Sequence, residues 1–171
     1  MTLPTITRDT IDLSPGDEIL LRFRTWDDYE RLLEQRQDRA GIRIRYSQTT
    51  QAIRIMAPLL GHGKNADMLA DLVKVMLRHQ QKDWEAFTPV TLKRLNQQGV
   101  EPDYGFYIQN RARILGKGRL DLETDPPPDL VLDVDLTCTT QPEDYQAIGA
   151  IELWIYRQNQ LFIYHFDGEQ Y

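Results

Sequence analysis

The sequence predicts a mixed α/β (α+β) domain, a sheet covered by helices. Two observations carry this. Short segments of alternating or β-rich apolar residues recur at 42–46, 53–55, 84–95, 104–108, 130–136, 151–156 and 161–166. Between the second and third of them, residues 62–79 switch to helical spacing, with Ala66, Leu69, Val73 and Met76 in one stripe and Met68, Leu72 and Val75 beside it. The chain has 171 residues, 41% hydrophobic and 27% charged, which is ordinary globular composition. That length suits one domain with its own core.

The elements follow in order. Residues 1–39 form an N-terminal extension and a helix. Thr25 can cap that helix and Asp28, three residues on, can answer it; Tyr29, Leu32 and Leu33 make its apolar stripe. Residues 40–60 read as a β-hairpin, with Ile42, Ile44 and Tyr46 on one face and Arg43 and Arg45 on the other, turning at 48–51. Residues 61–171 form the core. The broad apolar arc of 62–79 suggests a helix buried on more than one side. Gly99 is expected to turn the chain, and 111–119 to form a basic connection. Pro126, Pro127 and Pro128 stop any helix or central strand. A short helix is expected over Gln141–Gly149, so the order from His62 is α-β-β-β-α-β plus a final strand.

Composition excludes several chemistries. One cysteine, Cys138, allows no intramolecular disulfide and fits a reducing compartment. A buried structural thiol is its expected role. The start MTLPTITRDT has no basic and apolar leader pattern, and no apolar run reaches the roughly 20 residues of a membrane span. A soluble, cytoplasmic chain is therefore expected. The three histidines lie far apart with no cysteine at zinc spacing, and Ser14 and Ser47, the only serines, sit in no nucleophile elbow. No phosphate-binding P-loop or dinucleotide fingerprint is present.

Charge is unevenly placed. Residues 1–119 hold 19 of the 20 basic residues and 15 of the 26 acids, a net of +4; residues 120–171 hold Arg157 against 11 acids, a net of −10. Residues 40–119 alone carry a net of +7, either a phosphate-facing rim or ordinary solvated faces. The informative acids lie in strands. Alternation puts Asp129, Asp133 and Asp135 on one face of 130–136, opposite Leu130, Leu132, Val134 and Leu136. Asp103 stands at the mouth of the neighbouring strand. Carboxylates buried together require a compensating cation: Lys, Arg or a divalent metal.

The blocks Ile53–His62 (IRIMAPLLGH), Gly99–Asp103 (GVEPD), Pro127–Val134 (PPDLVLDV), and Tyr145 followed by Gly149–Trp154 (GAIELW) resemble, in order, those of the Uma-type "putative restriction endonucleases", formerly a domain of unknown function, in the PD-(D/E)xK nuclease superfamily. The resemblance spans about residues 40–166 and implies a restriction-endonuclease-like core of the order read above. It implies a metal-dependent endonuclease hydrolysing DNA phosphodiesters with Mg²⁺ or Mn²⁺, with Asp103 and Asp133 as carboxylate ligands. Related nucleases suggest a homodimer. His62 matches a histidine at the first helix's N-terminus, where it either functions or simply packs. The superfamily lysine is absent: Asp135 and Gln141 stand at its two usual positions. Asp135 then becomes a candidate third metal ligand, and Lys117 a candidate substitute from the basic connection. Two alternatives remain: a catalytically degenerate relative that binds DNA or protein, and a transferase using Asp133-Val134-Asp135 as a metal-binding D-x-D.

Overall fold

The pattern resolves into two five-stranded sheets and three helices, described over residues 13–37, 41–136 and 140–171 of a computed structural model. In the first sheet the order is β1 (Glu18–Arg22), β3 (Ala52–Met56), β2 (Arg43–Ser47), β6 (Gln98–Val100) and β5 (Leu92–Arg94), all antiparallel. In the second it is β10 (Gln160–His165), β9 (Glu152–Arg157), β8 (Leu130–Asp135), β7 (Tyr104–Tyr107) and β4 (Glu85–Phe87). There β8 and β9 run parallel and the other neighbours antiparallel.

Local signals set the N-terminal unit. Helix α1 (Trp26–Arg36) starts at Thr25, whose hydroxyl accepts the Asp28 N–H at 3.2 Å, while the Asp28 carboxylate accepts the Thr25 N–H at 3.2 Å. Trp26, Tyr29 and Leu32 recur at helical spacing and bury against Ile44, Tyr46, Ile53 and Ile55 of the hairpin.

Helix α2 (Leu60–His79) lies on the second sheet. Ala66, Leu69, Ala70, Val73 and Leu77 pack on Phe106, Leu130, Leu132, Val134 and Trp154. The opposite face of that sheet has its own core, in which Val131, Leu153 and Ile155 meet Leu92, Val100 and Tyr145. All six β8 residues are therefore buried. Among the described residues no helix is long and apolar enough to cross a membrane.

Three expectations change. The single strand over 84–95 is two, β4 pairing with β7 and β5 with β6 in different sheets. Pro89, preceded by a cis peptide bond, has no N–H to continue a ladder, and the chain changes sheet there. The helix at Gln141–Gly149 shrinks to one 3-10 turn, Pro142–Tyr145, after which Gly149 takes a positive φ of 71°. Gly99 does not turn the chain; it sits inside β6, opposite Tyr46 and Lys93. The turn is at Asn96, with φ 57°. Gly99 is required because a Cβ there would overlap the fully buried Tyr29 ring. Gly99→Ala is expected to cost about 1–3 kcal/mol by overpacking, read as a lower urea midpoint at unchanged slope; an unshifted midpoint would show the ring has room. The basic connection holds one further element, the short helix α3 (Arg111–Ile114). Cys138 and the N-terminal decapeptide lie outside the described residues.

Candidate functional site

The candidate site lies at a seam. After β4 the chain leaves the second sheet for β5 and β6, then returns through Glu101-Pro102-Asp103 into β7. Asp103 arrives beside β8 at this return. Its backbone N–H donates to the Leu132 carbonyl at 3.0 Å, and its Oδ2 accepts the Val134 N–H at 2.7 Å. The side chain thus extends the β7–β8 ladder by one bond.

Strand parity does the rest. Leu130, Leu132 and Val134 point under α2, so Asp133 and Asp135 point to the face that meets the first sheet. From that sheet β2 presents Arg43 and Arg45, since Ile44 and Tyr46 are turned to α1. Arg43 Nη2 donates to Asp103 Oδ1 at 2.5 Å. Arg45 Nη2 donates to Asp133 Oδ2 at 2.6 Å, and Arg45 Nη1 to Thr140 Oγ1 at 2.9 Å. Tyr145 Oη also donates to Asp133 Oδ2, at 2.9 Å, with the Arg45 guanidinium 5.9 Å from its ring centroid. Asp103 and Asp133 are only 2% and 1% exposed, which is the burial that demands these cations.

Asp135 is tied to Thr140. Its carboxylate accepts the Thr140 N–H at 2.5 Å and lies 3.0 Å from Thr140 Oγ1, which also lies 3.1 Å from Asp133 Oδ2. One hydroxyl proton cannot serve both acids. Burial pushes the Asp135 carboxyl up, partly opposed by the Thr140 N–H. A protonated Asp135 can donate to Thr140 Oγ1 and free that hydroxyl to donate to Asp133.

Burial also pushes Asp103 up, with Arg43 pulling it down and Asp133 pushing it further up, so the two acids sense each other. For Arg45, burial works against the charge, and Asp133 first, then Tyr145 and Asp144, together more than offset it. Tyr145 is held far above its ordinary value by burial and then by Asp133.

His62, in the first turn of α2, is buried and its Nδ1 has no partner. Burial pushes its pKa down, while Asp103 raises it and Arg43 lowers it, which places it next to the charged pairs. In the unfolded chain a histidine titrates near 6.5. As pH falls through that value the unfolded state takes up a proton that folded His62 resists, so stability falls. Asp135, shifted up, acts oppositely: the folded state binds its proton first and gains stability on acidification. We expect His62→Gln to remove part of the acid-side loss in a urea series between about pH 7 and pH 5; an identical pH profile in the variant would sink this assignment.

The other expected site residues lie apart. Lys117 pairs with Asp125 in the loop before β8 and contacts neither Asp103 nor Asp133. Asp129 shares the parity of Asp133, but its Oδ2 accepts the N–H groups of Ile108, Gln109 and Asn110, fixing the loop after β7. Gln141, at a usual lysine position, caps the 3-10 turn with Asp144. The rim reading of 40–119 also changes, because Arg43 and Arg45 turn inward and Lys93, Arg111 and Lys117 already hold acidic partners. A cleft of about 600 Å³ opens beside Arg43 and Asp103, bounded by Gly63, Thr91 and Tyr104; Asp133 does not line it.

Sequence reasoning gave no site role to Arg43, Arg45, Thr140 or Tyr145, although Tyr145 stands in one of the blocks that carry the family resemblance. The available signal was the requirement for a cation beside buried acids, joined to the two arginines sharing one hairpin face.

The family model described as Uma2, "Putative restriction endonuclease", matches residues 26–171. The chain belongs to the Uma2 family. A crystal structure of a "putative nuclease belonging to DUF820" from Anabaena variabilis is similar, with a TM-score of 0.49 and 16% identity over 75% of this chain and 74% of that one. No curated protein matches.

Membership in Uma2 raises the question of a divalent metal, and the donor set answers it. Asp103 has one oxygen on Arg43 and the other on the Val134 N–H. Asp133 Oδ2 is within reach of three donors; its Oδ1 is the one unpartnered oxygen, and it is buried. Two guanidiniums sit where a cation would have to approach, and like charges in a buried site repel strongly. Among the described residues no three His, Cys, Asp or Glu side chains converge to hold a metal ion. The residues, arranged this way, do not fit a divalent ion.

Proposed function

We propose that this Uma2 chain keeps the nuclease fold as a DNA-binding module whose hydrolytic centre is closed by arginine. One observation carries the reading: each carboxylate at a nuclease-type position bonds a guanidinium, Arg43 on Asp103 and Arg45 on Asp133. The missing superfamily lysine agrees with it. Support for DNA as the ligand comes from the restriction-endonuclease description of the family. The exposed basic residues Lys64, Lys82, Arg113 and Arg119 are suited to phosphate contacts.

A second reading, DNA hydrolysis with Mg²⁺ or Mn²⁺ at Asp103 and Asp133, is favoured by two buried acceptor atoms left without partners beside the pairs, Asp133 Oδ1 and His62 Nδ1. It requires Arg43 and Arg45 to leave their carboxylates. Incubating the chain with plasmid and linear DNA in Mn²⁺, beside Asp103→Ala, separates the two. The closed reading expects no cleavage, with salt-dependent DNA retention in a gel shift that Asp103→Ala leaves unchanged. Metal-dependent cleavage lost in an Asp103→Ala chain that keeps its fold by circular dichroism would establish the second reading, and absence of DNA retention would remove DNA from the first.

A further inference from the structure

The outer face of α2 carries an apolar stripe that the monomer does not cover. Met68, Leu72, Val75 and Met76 are 55%, 48%, 57% and 43% exposed, although they stand at helical spacing on the helix that also covers the second sheet. An exposed row of this kind, rimmed by charge, marks an interaction surface.

The rim identifies the occupant. One residue to the side of Met68, Leu72 and Val75 runs the parallel row Asp67, Asp71, Lys74 and Arg78. Its N-terminal half is acidic and its C-terminal half basic. When two such helices cross antiparallel about a two-fold axis, the same flank of each meets itself in reverse. Asp67 then faces Arg78 of the copy, and Asp71 faces Lys74 of the copy. The same axis, near Leu72, sets Leu72 on Leu72 and Met68 on Met76. A parallel pairing offers no such match, because the opposite flank of α2 is the core-facing row with Leu69 and Val73.

We propose that the chain forms a symmetric homodimer through antiparallel α2 helices, with Met68, Leu72, Val75 and Met76 as the apolar centre and the Asp67-Asp71-Lys74-Arg78 row as the rim. In the monomer Lys74 bonds Asp71 at 3.2 Å and lies over the Tyr104 ring, and Arg78 lies over Trp84. Asp71 is 68% exposed in the monomer, whereas the Lys74 side chain is 24% exposed and has to turn from Asp71 of its own helix to Asp71 of the copy. The proposal does not depend on whether the carboxylate site is open or closed.

Sedimentation equilibrium of the full chain tests it. The expected mass is twice 20.0 kDa. Leu72→Glu sets two carboxylates against each other on the axis and is expected to raise the dissociation constant by ~100-fold or more. Asp71→Lys, at an exposed position, is expected to weaken the dimer about tenfold, and Asp71→Lys with Lys74→Asp to restore it. A wild-type chain that stays monomeric up to its solubility limit overturns the proposal and leaves the stripe to a different partner. A dimer unchanged by both Leu72→Glu and Asp71→Lys also overturns it, placing the contact on another surface. If Leu72→Glu fails to fold by circular dichroism, the exposed Asp71 exchange decides alone.

Discussion

Arg45→Met is expected to cost about 3–5 kcal/mol of folding stability, the usual result of removing one member of a buried ion pair. The loss falls mainly on Asp133, which is 1% exposed and would keep only the Tyr145 and Thr140 hydroxyls against its charge. Arg45→Met combined with Asp133→Leu should recover much of the loss, because replacing both partners by apolar groups leaves no stranded charge. Urea unfolding of the wild type and the three variants completes the cycle. A loss under about 1 kcal/mol for Arg45→Met would match an exposed pair, and would mean Asp133 finds water or a cation. Adding Mn²⁺ distinguishes those two outcomes: a variant stabilised by the ion has exchanged guanidinium for metal, and one left unchanged has let in water.

Glu101→Ala should be comparably damaging, by roughly 3–5 kcal/mol. The Glu101 carboxylate is 4% exposed and joins three elements. It accepts from Arg36 of α1 at 2.6 Å, from the Ile44 N–H of β2 at 2.7 Å, and from Thr91 Oγ1 before β5 at 2.8 Å. Alanine strands a buried backbone N–H and a largely buried guanidinium together. Glu101→Gln keeps the size and one acceptor oxygen for Arg36 and the Ile44 N–H, turns the other into an NH2 that can donate to Thr91 Oγ1, and removes the charge, so about 1–3 kcal/mol is expected. Equal losses in the two variants would show that the charge, not the geometry of acceptance, holds these elements together.

The parts of the fold readable in the sequence are those whose cause is local. The box between Thr25 and Asp28 needs only three residues, and the hairpin around 48–51 needs only alternation and a polar turn. The facing of Asp133 away from Leu132 follows from a period of two. The parts that were not readable have distant causes. Nothing between 84 and 95 tells that Phe87 will lie opposite Gly105 while Leu92 lies opposite Val100; Pro89 marks a break without naming the destination. Gly99 resembled a turn because the Tyr29 ring that requires it is seventy positions away. The site divides the same way. The sequence shows that buried acids need a cation, and alternation sets Arg43 and Arg45 on one side of the hairpin. Only the docking of one sheet on the other shows that these are the same requirement met from both ends.

The seam has a consequence for how this sequence can change over time. Arg43 and Arg45 come from one sheet, and Asp103 and Asp133 belong to the other, so each charge is tolerable only with its counterpart. A lineage that loses Arg45 alone passes through a protein with a stranded acid, and one that loses Asp133 alone passes through a stranded base. The routes open to it are paired substitutions, or capture of a metal ion at the moment the guanidinium is lost. Among relatives of this chain, residue 43 is expected to vary with residue 103, and residue 45 with residue 133, as two linked characters.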